Sequence, residues 1–178
     1  VYVEFIKPSD KLFLDLIAKN DSTGKGMLVS QVTEEGREII FYQHLEQLEI
    51  VIPENIKKAK KAVFVIEYSG VPADGLIISN NKFGDRTFFG DNWPNRARFW
   101  LPTVDHPSDK ATVDFSVWAP DHYQVVANGM QKEKINLQNE LKFTRWHESV
   151  PISTKLMVIG VFLLEFLRNK IVGMSSVD

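Results

Sequence analysis

Acids, arginines and tryptophans crowd the stretch DNWPNRARFWLPTVDHP, from Asp91 to Pro107. Arg96 and Arg98 stand two apart, so on an extended backbone they share a face, and two guanidinium forks on one face can hold an anion or a carboxylate. Trp93, Trp100 and, further on, Trp118 offer rings on which a cation or a flat ligand can stack. The structural use of the same residues is different: Arg98 pairs with an internal acid such as Asp105, while the tryptophans and prolines lock an irregular connection.

Other constellations are weaker. WHESVP places His147 beside Glu148, as in the zinc motif H-E-x-x-H, but its fifth position is Pro151, which cannot ligate and which disfavours helix at Val150. His44, His106, His122 and His147 include no two at ligand spacing. There is no cysteine, hence no disulfide and no thiolate for zinc or for nucleophilic catalysis. No glycine-rich phosphate loop and no G-x-S-x-G elbow occurs. The run KKAKKA, Lys57 to Ala62, reads as a solvated turn that discourages edge pairing; nucleic-acid binding needs stacking aromatics on the same face, and the alternation buries Phe64 instead. No catalytic residue and no metal ligand is therefore expected in this chain.

The bulk numbers agree with a soluble, folded chain. It has 178 residues, 44% of them hydrophobic and 25% charged, enough for one domain with a substantial core. A formal charge of -2 gives no global attraction to nucleic acid or anionic lipid. The longest apolar run, Leu156 to Leu164, is short of the ~20 residues of a membrane helix and is closed by Glu165 and Arg168. It reads as buried. Cellular location is not legible.

The elements that must position these residues read as strands. VYVEFI, LFLDLI, MLVSQV, EIIFYQ, LEIVIP, AVFVIEYSG and GLIIS are separated by turn signals such as NDSTGKG and EEGRE. ATVDFSVWA alternates most clearly: Ala111, Val113, Phe115, Val117 and Ala119 face a core, while Thr112, Asp114, Ser116 and Trp118 face outward. YQVVANGM and EKINLQNELKFTRWHE follow, with QNE as a hairpin turn. STKLMVIGVFLLEFL is expected to be strand in its first half. The expected fold is a single all-β domain over 1–178, a curved, mainly antiparallel multi-sheet β-sandwich or saddle.

ARFWLPTVDHPSDKATVDFSVWAP resembles the N-terminal domain of the aminopeptidase N family of zinc peptidases. In that family an Ala-Arg pair leads into P-C-F-D-E-P, then Lys-Ala-Thr and an alternating strand ending in Pro; Ala97, Arg98, Pro102, Asp105, Pro107, Lys110, Ala111, Thr112 and Pro120 match in order. VVANGM resembles the family's A-x-S-N-G turn, and PISTKLMVIGV its P-M-S-T-Y-L-x-A-x-x-V segment. Two departures stand out. The family's Gln and its Glu or Gln, seven and five residues before the arginine, correspond here to Asp91 and Trp93, and a frequent tyrosine is replaced by Lys155.

The resemblance implies a parent enzyme that removes N-terminal residues from peptides. Zinc in a following catalytic domain would activate the attacking water there. This chain would be that domain's non-catalytic cap, with its loop from Gly90 to Asn95 bordering the substrate. Asp91, Asn92 and Trp93 are the expected substrate-binding residues, and Arg98 with Asp105 the expected brace. The implied partners are the chain's own downstream catalytic domain and a peptide. The chain is expected to be a piece of a longer protein that lacks its first strands, and an exposed sheet edge is expected to favour self-association. Two alternatives are a scaffold of the same architecture without the zinc residues, and a stand-alone β-sandwich module using Trp93, Trp100 or Trp118 as a platform.

Overall fold

The computed structural model describes residues 1–57 and 61–163. In chain order the elements are β1 (Tyr2–Glu4), β2 (Lys11–Asp15), β3 (Gly26–Glu34), β4 (Arg37–Glu38), β5 (Phe41–Gln43), β6 (Gln47–Val51), the one-turn helix α1 (Glu54–Lys57), β7 (Lys61–Val71), β8 (Leu76–Asn80), β9 (Arg86–Gly90), β10 (Lys110–Pro120), β11 (Tyr123–Ala127), β12 (Met130–Asn136), β13 (Leu141–Ser153) and β14 (Ile159–Leu163). The fold class is the expected one, all-β with several antiparallel sheets. Contacts group the chain into two compact units.

The first unit comprises Val1–Leu76, Asp91–Asp109 and Ser153–Leu156. It holds two sheets, ordered β1-β7-β3-β4 and β2-β6-β5. Its strands obey the period-two rule: in β7, Ala62 and Phe64 are buried while Val63 and Val65 are exposed, and in β2 Leu14 is buried while Phe13 before it is exposed. These inward faces build one apolar cluster of Leu14, Leu16, Val32, Leu48, Ile50, Ile52 and Phe64, among others. A side chain such as Phe64, with no exposed surface, contributes roughly 1.5–3 kcal/mol by leaving water.

Three local readings are corrected here. EIIFYQ is not one strand: it breaks between β4 and β5, where Ile39 turns inward and its N–H donates to the Val32 carbonyl at 2.9 Å. α1 has no counterpart in the sequence pattern, since a single turn is too short to show helical periodicity. It is set up by Pro53, whose carbonyl accepts from Ile56 and Lys57, and it buries Ile56. Thr154–Leu156 is a 3-10 turn and not strand, the strand being β14. Lys58, Ala59 and Lys60 of the basic run, and Leu164, Glu165 and Arg168 at the end of the apolar run, lie outside the described residues.

The second unit comprises residues 77–90, 110–152 and 157–163 of the described chain. Its sheets are ordered β10-β13-β12 and β11-β14-β9-β8. β10 alternates as the sequence predicts, with Phe115 and Ala119 buried and Thr112, Asp114, Ser116 and Trp118 exposed; Ala111 alone departs, being exposed. The QNE turn closes β12 onto β13 with Asn139 and Glu140 both at positive φ (60° and 57°), the conformation of a type I′ hairpin, which asparagine tolerates well. β9 was not legible as a strand, because RTFFG is short and does not alternate. Lys142 is 4% exposed and Thr144 2%, so two polar side chains on β13 are buried in this unit. Among the described residues no helix is long and apolar enough to cross a membrane.

Candidate functional site

The loop after β9 is organised by Arg96. Its Nε donates to the Trp93 carbonyl at 2.6 Å, its Nη1 lies 3.3 Å from Asp74 Oδ1, and its Nη2 meets Asp91 Oδ2. One planar guanidinium thus ties three points of backbone together, which a lysine cannot do. Below it two segments of the chain touch: the Asp91 N–H donates to the Gly75 carbonyl at 2.7 Å, and a Cβ on Gly75 would lie 2.1 Å from the Arg96 carbonyl oxygen. Gly75 also sits at φ +76°, so only glycine fits there without strain.

Arg98 serves a different set of partners. Residues Ala97–Phe99 form a 3-10 turn around the fully buried Ala97, and at three residues per turn the side chains of Arg96 and Arg98 diverge. The shared anion-binding face expected on extended backbone is therefore not formed. Arg98 Nε lies 3.2 Å from Asp105 Oδ2, and its Nη2 lies 3.4 Å from the Asp105 carbonyl and 3.8 Å from Asp15 Oδ2. Asp105 is 5% exposed and has both carboxylate oxygens engaged, since Oδ1 accepts from Thr154 Oγ1 at 2.8 Å; its own N–H donates to Asp15 Oδ2 at 2.9 Å. Hydrogen bonds to a buried charge of this kind are each worth about 1.5–3 kcal/mol.

Asn92 is 1% exposed. Its Oδ1 accepts from Trp100 Nε1 at 2.8 Å and its Nδ2 donates to the Thr154 carbonyl at 3.2 Å, so its amide holds the loop from inside and presents nothing to a ligand. Tyr68 completes the support by donating its hydroxyl to the Trp100 carbonyl at 2.9 Å; burial pushes its phenol up to about 12. Trp100 is in this way an internal strut rather than a platform.

Trp93 faces the other way, with 59% of its surface exposed, next to a cis Trp93–Pro94 peptide bond. The Lys155 ammonium lies 4.5 Å from the centre of its ring, a cation–π contact. Asp91 is half-buried beside it. Sequence reasoning singled out Asp91 and Trp93 but missed Arg96 as their organiser, Asp74 as its second carboxylate, and Lys155 as the cation on the ring. The available signal for the last was its place in PISTKLM, where the family has a tyrosine.

Elsewhere the titratable groups are engaged in pairs. His44 Nε2 lies 3.1 Å from Glu49, which Lys11 also contacts at 2.6 Å, and those two hydrogen bonds hold the Glu49 carboxyl below its usual range. His106 bonds Ser108 and His122 lies against Tyr123. On the outer face of β10 and β13, Asp114 meets Arg145 at 2.9 Å and His147 at 3.1 Å; partial burial pushes its carboxyl up, and the two hydrogen bonds outweigh this and hold it below the ordinary value. On the same face Trp118, 63% exposed, packs on Phe143 with ring centres 4.7 Å apart. Among the described residues no group of three or more His, Cys, Asp or Glu is placed to hold a metal ion. The donors present therefore do not fit a zinc site.

Comparison with known proteins gives these features a context. The model of the Peptidase M1 N-terminal domain matches residues 8–156. Rat (Rattus norvegicus) glutamyl aminopeptidase is 37% identical over 71 residues, 40% of this chain and 8% of that protein. Probable M1 family aminopeptidase 2 of Encephalitozoon cuniculi is 24% identical over 148 residues, 81% of this chain and 17% of that one. The crystal structure of an M1 zinc metallopeptidase from Deinococcus radiodurans superimposes with a TM-score of 0.74 at 25% identity, covering 90% of this chain and 36% of its own. The chain thus spans well under half the length of the proteins it resembles. On the family match and this shared architecture, the chain belongs to the Peptidase M1 N-terminal domain family.

Proposed function

We propose that this chain is the non-catalytic, substrate-capping N-terminal domain of a zinc-dependent aminopeptidase, acting with a downstream catalytic domain on the N-termini of peptides. The observation that carries the reading is the loop at Asp91–Arg96: an exposed indole held on a frame that Arg96, Asn92 and Asp105 fix from behind. Such a frame keeps a ligand-facing group in place without the ligand, which is what positioning requires. Asp91, held through Oδ2 by Arg96, bonds nothing through Oδ1 among the described residues and offers it to the peptide's α-ammonium. Trp93 supplies an apolar and π-rich wall. Asn92, being buried, is assigned to the frame and not to the contact surface. Zinc, held by residues outside this chain, supplies the activated water when bound; the residues here contribute position and exclusion of solvent.

The test compares the isolated chain with the full-length protein that its gene encodes, using aminoacyl-p-nitroanilides and metal analysis. The full-length protein is expected to turn over and to lose activity to a chelator, whereas the isolated chain is expected to bind no stoichiometric zinc and to hydrolyse nothing. Metal-dependent turnover by the pure chain would overturn the division of labour. A second reading, a module that binds ligand by itself, is favoured by the exposed Trp118 on Phe143. Ligand binding by the isolated chain that Trp118→Ala abolishes would select it.

A further inference from the structure

We infer that Lys155 makes the Trp93 loop select peptides whose first residue carries a carboxylate side chain. The inference rests on the proposed reading, because it takes the loop at Trp93 to face the substrate.

The charges around the loop are unequal in how they are satisfied. Arg96 is engaged by Asp74, by Asp91 and by the Trp93 carbonyl, and those two carboxylates have their countercharge in it. Lys155 is different: its ammonium lies on the Trp93 ring and contacts no carboxylate among the described residues. A ring quadrupole attracts an ammonium without neutralising it, so the indole fixes where the positive charge sits and leaves that charge to act outward. Thr154, the preceding residue, is 2% exposed and bonded through its hydroxyl to Asp105 and through its carbonyl to Asn92. The backbone that carries Lys155 is thereby anchored to the same frame as Trp93.

The loop thus carries two charges of different standing: the Asp91 carboxylate, bonded to Arg96 through Oδ2 with Oδ1 left over, and the Lys155 ammonium on the indole, bonded to no carboxylate among the described residues. An N-terminal glutamate or aspartate carries the complementary pair, an α-ammonium and a side-chain carboxylate. A neutral first residue gains only the apolar area of the indole. A lysine or arginine meets a like charge, which is unfavourable and more so the less water lies between the two.

The test uses the full-length protein and measures kcat/KM for glutamyl-, leucyl- and lysyl-p-nitroanilide. The Glu/Leu ratio is expected to fall roughly fivefold in Lys155→Met, the size of one partly exposed ion pair. Lys155→Arg is expected to keep most of the preference, and Lys155→Glu to shift it toward the lysyl substrate. Circular dichroism of each variant separates a change of preference from a loss of fold. A Glu/Leu ratio in Lys155→Met within about twofold of the parent, with turnover intact, overturns the inference and leaves the reading of the loop standing. Trp93→Ala supplies the other arm: if neither it nor any Lys155 variant changes KM for any of the three substrates, the loop does not face the substrate and the underlying reading falls. Absence of turnover of all three by the unmodified full-length protein removes both.

Discussion

The two units solve the problem of burial differently. The first, around Phe64, Leu16, Leu48 and Ile50, has an aliphatic core and links three of its buried polar residues, Asn92, Asp105 and Thr154, in one network, while the Ser153 hydroxyl has no hydrogen-bond partner among the described residues. The second has a thinner set of buried apolar residues, Phe115, Val125, Ile159 and Val161 among them. It also buries the Lys142 ammonium against the Asp121 carbonyl, and its Thr144 hydroxyl, like that of Ser153, has no hydrogen-bond partner among the described residues, with no comparable polar network beside it. A satisfied network rigidifies, whereas an unpaired buried group costs free energy without specifying anything. What sets the first unit apart is that network, and the candidate site is built on it: Asp91 and Trp93 flank Asn92, whose amide ties the loop to Thr154 and Trp100.

Substitutions in each unit test this difference. The largest effect is expected for Phe64→Ala, which removes a fully buried ring and should lower unfolding free energy by about 3–5 kcal/mol in denaturant titration; the same change at Phe115 should cost distinctly less. If Phe115→Ala proved the more damaging, the ranking of the two cores would be wrong. Asp105→Ala comes next, at roughly 2–4 kcal/mol, because Arg98 loses its principal partner and the Thr154 hydroxyl loses its acceptor, while the backbone N–H of residue 105 keeps its bond to Asp15. Crystals of that variant should show the 91–98 loop displaced.

Smaller effects probe the second unit and the Tyr68 strut. Lys142→Met replaces a buried charge, whose deprotonation burial and the nearby Lys134 both favour, with an apolar chain of similar length. It is expected to change stability by no more than about 1 kcal/mol and in the stabilising direction, read as a shift of the thermal midpoint. A marked loss would mean that the Asp121 carbonyl depends on that ammonium. The pH dependence is subtler. Tyr68 has its folded pKa raised to about 12 from 10, so its contribution is complete below pH 10 and declines between pH 10 and 12 as the unfolded chain ionises first. Tyr68→Phe should flatten the alkaline limb of a stability profile over that window.

Much of the fold was legible because strands advertise their inner face every second residue. The β10 segment shows this best, with Phe115 and Ala119 inside and Asp114 and Trp118 outside. What escaped was short or irregular: α1 has one turn, β9 has two adjacent phenylalanines that mask alternation, and Thr154–Leu156 tightens into a 3-10 turn inside an apolar run. At the candidate site, the sequence brought Arg98 and Asp105 together by nearness, and they meet. It did not reveal that Asn92 points inward, nor that Arg96 reaches across to Asp74, because those facts depend on the close approach of two segments at Gly75.

The Arg96 hub has one more consequence. Because a single guanidinium holds the loop from below, the tip residues Trp93 and Lys155 carry no hydrogen bond on which the frame depends through their side chains. On the proposed reading, holding the loop and reading the substrate are done by different residues. Exchange of the reading pair is therefore open to mutation one side chain at a time, while the hub keeps the geometry. A domain built this way can acquire a new preference without first losing its shape.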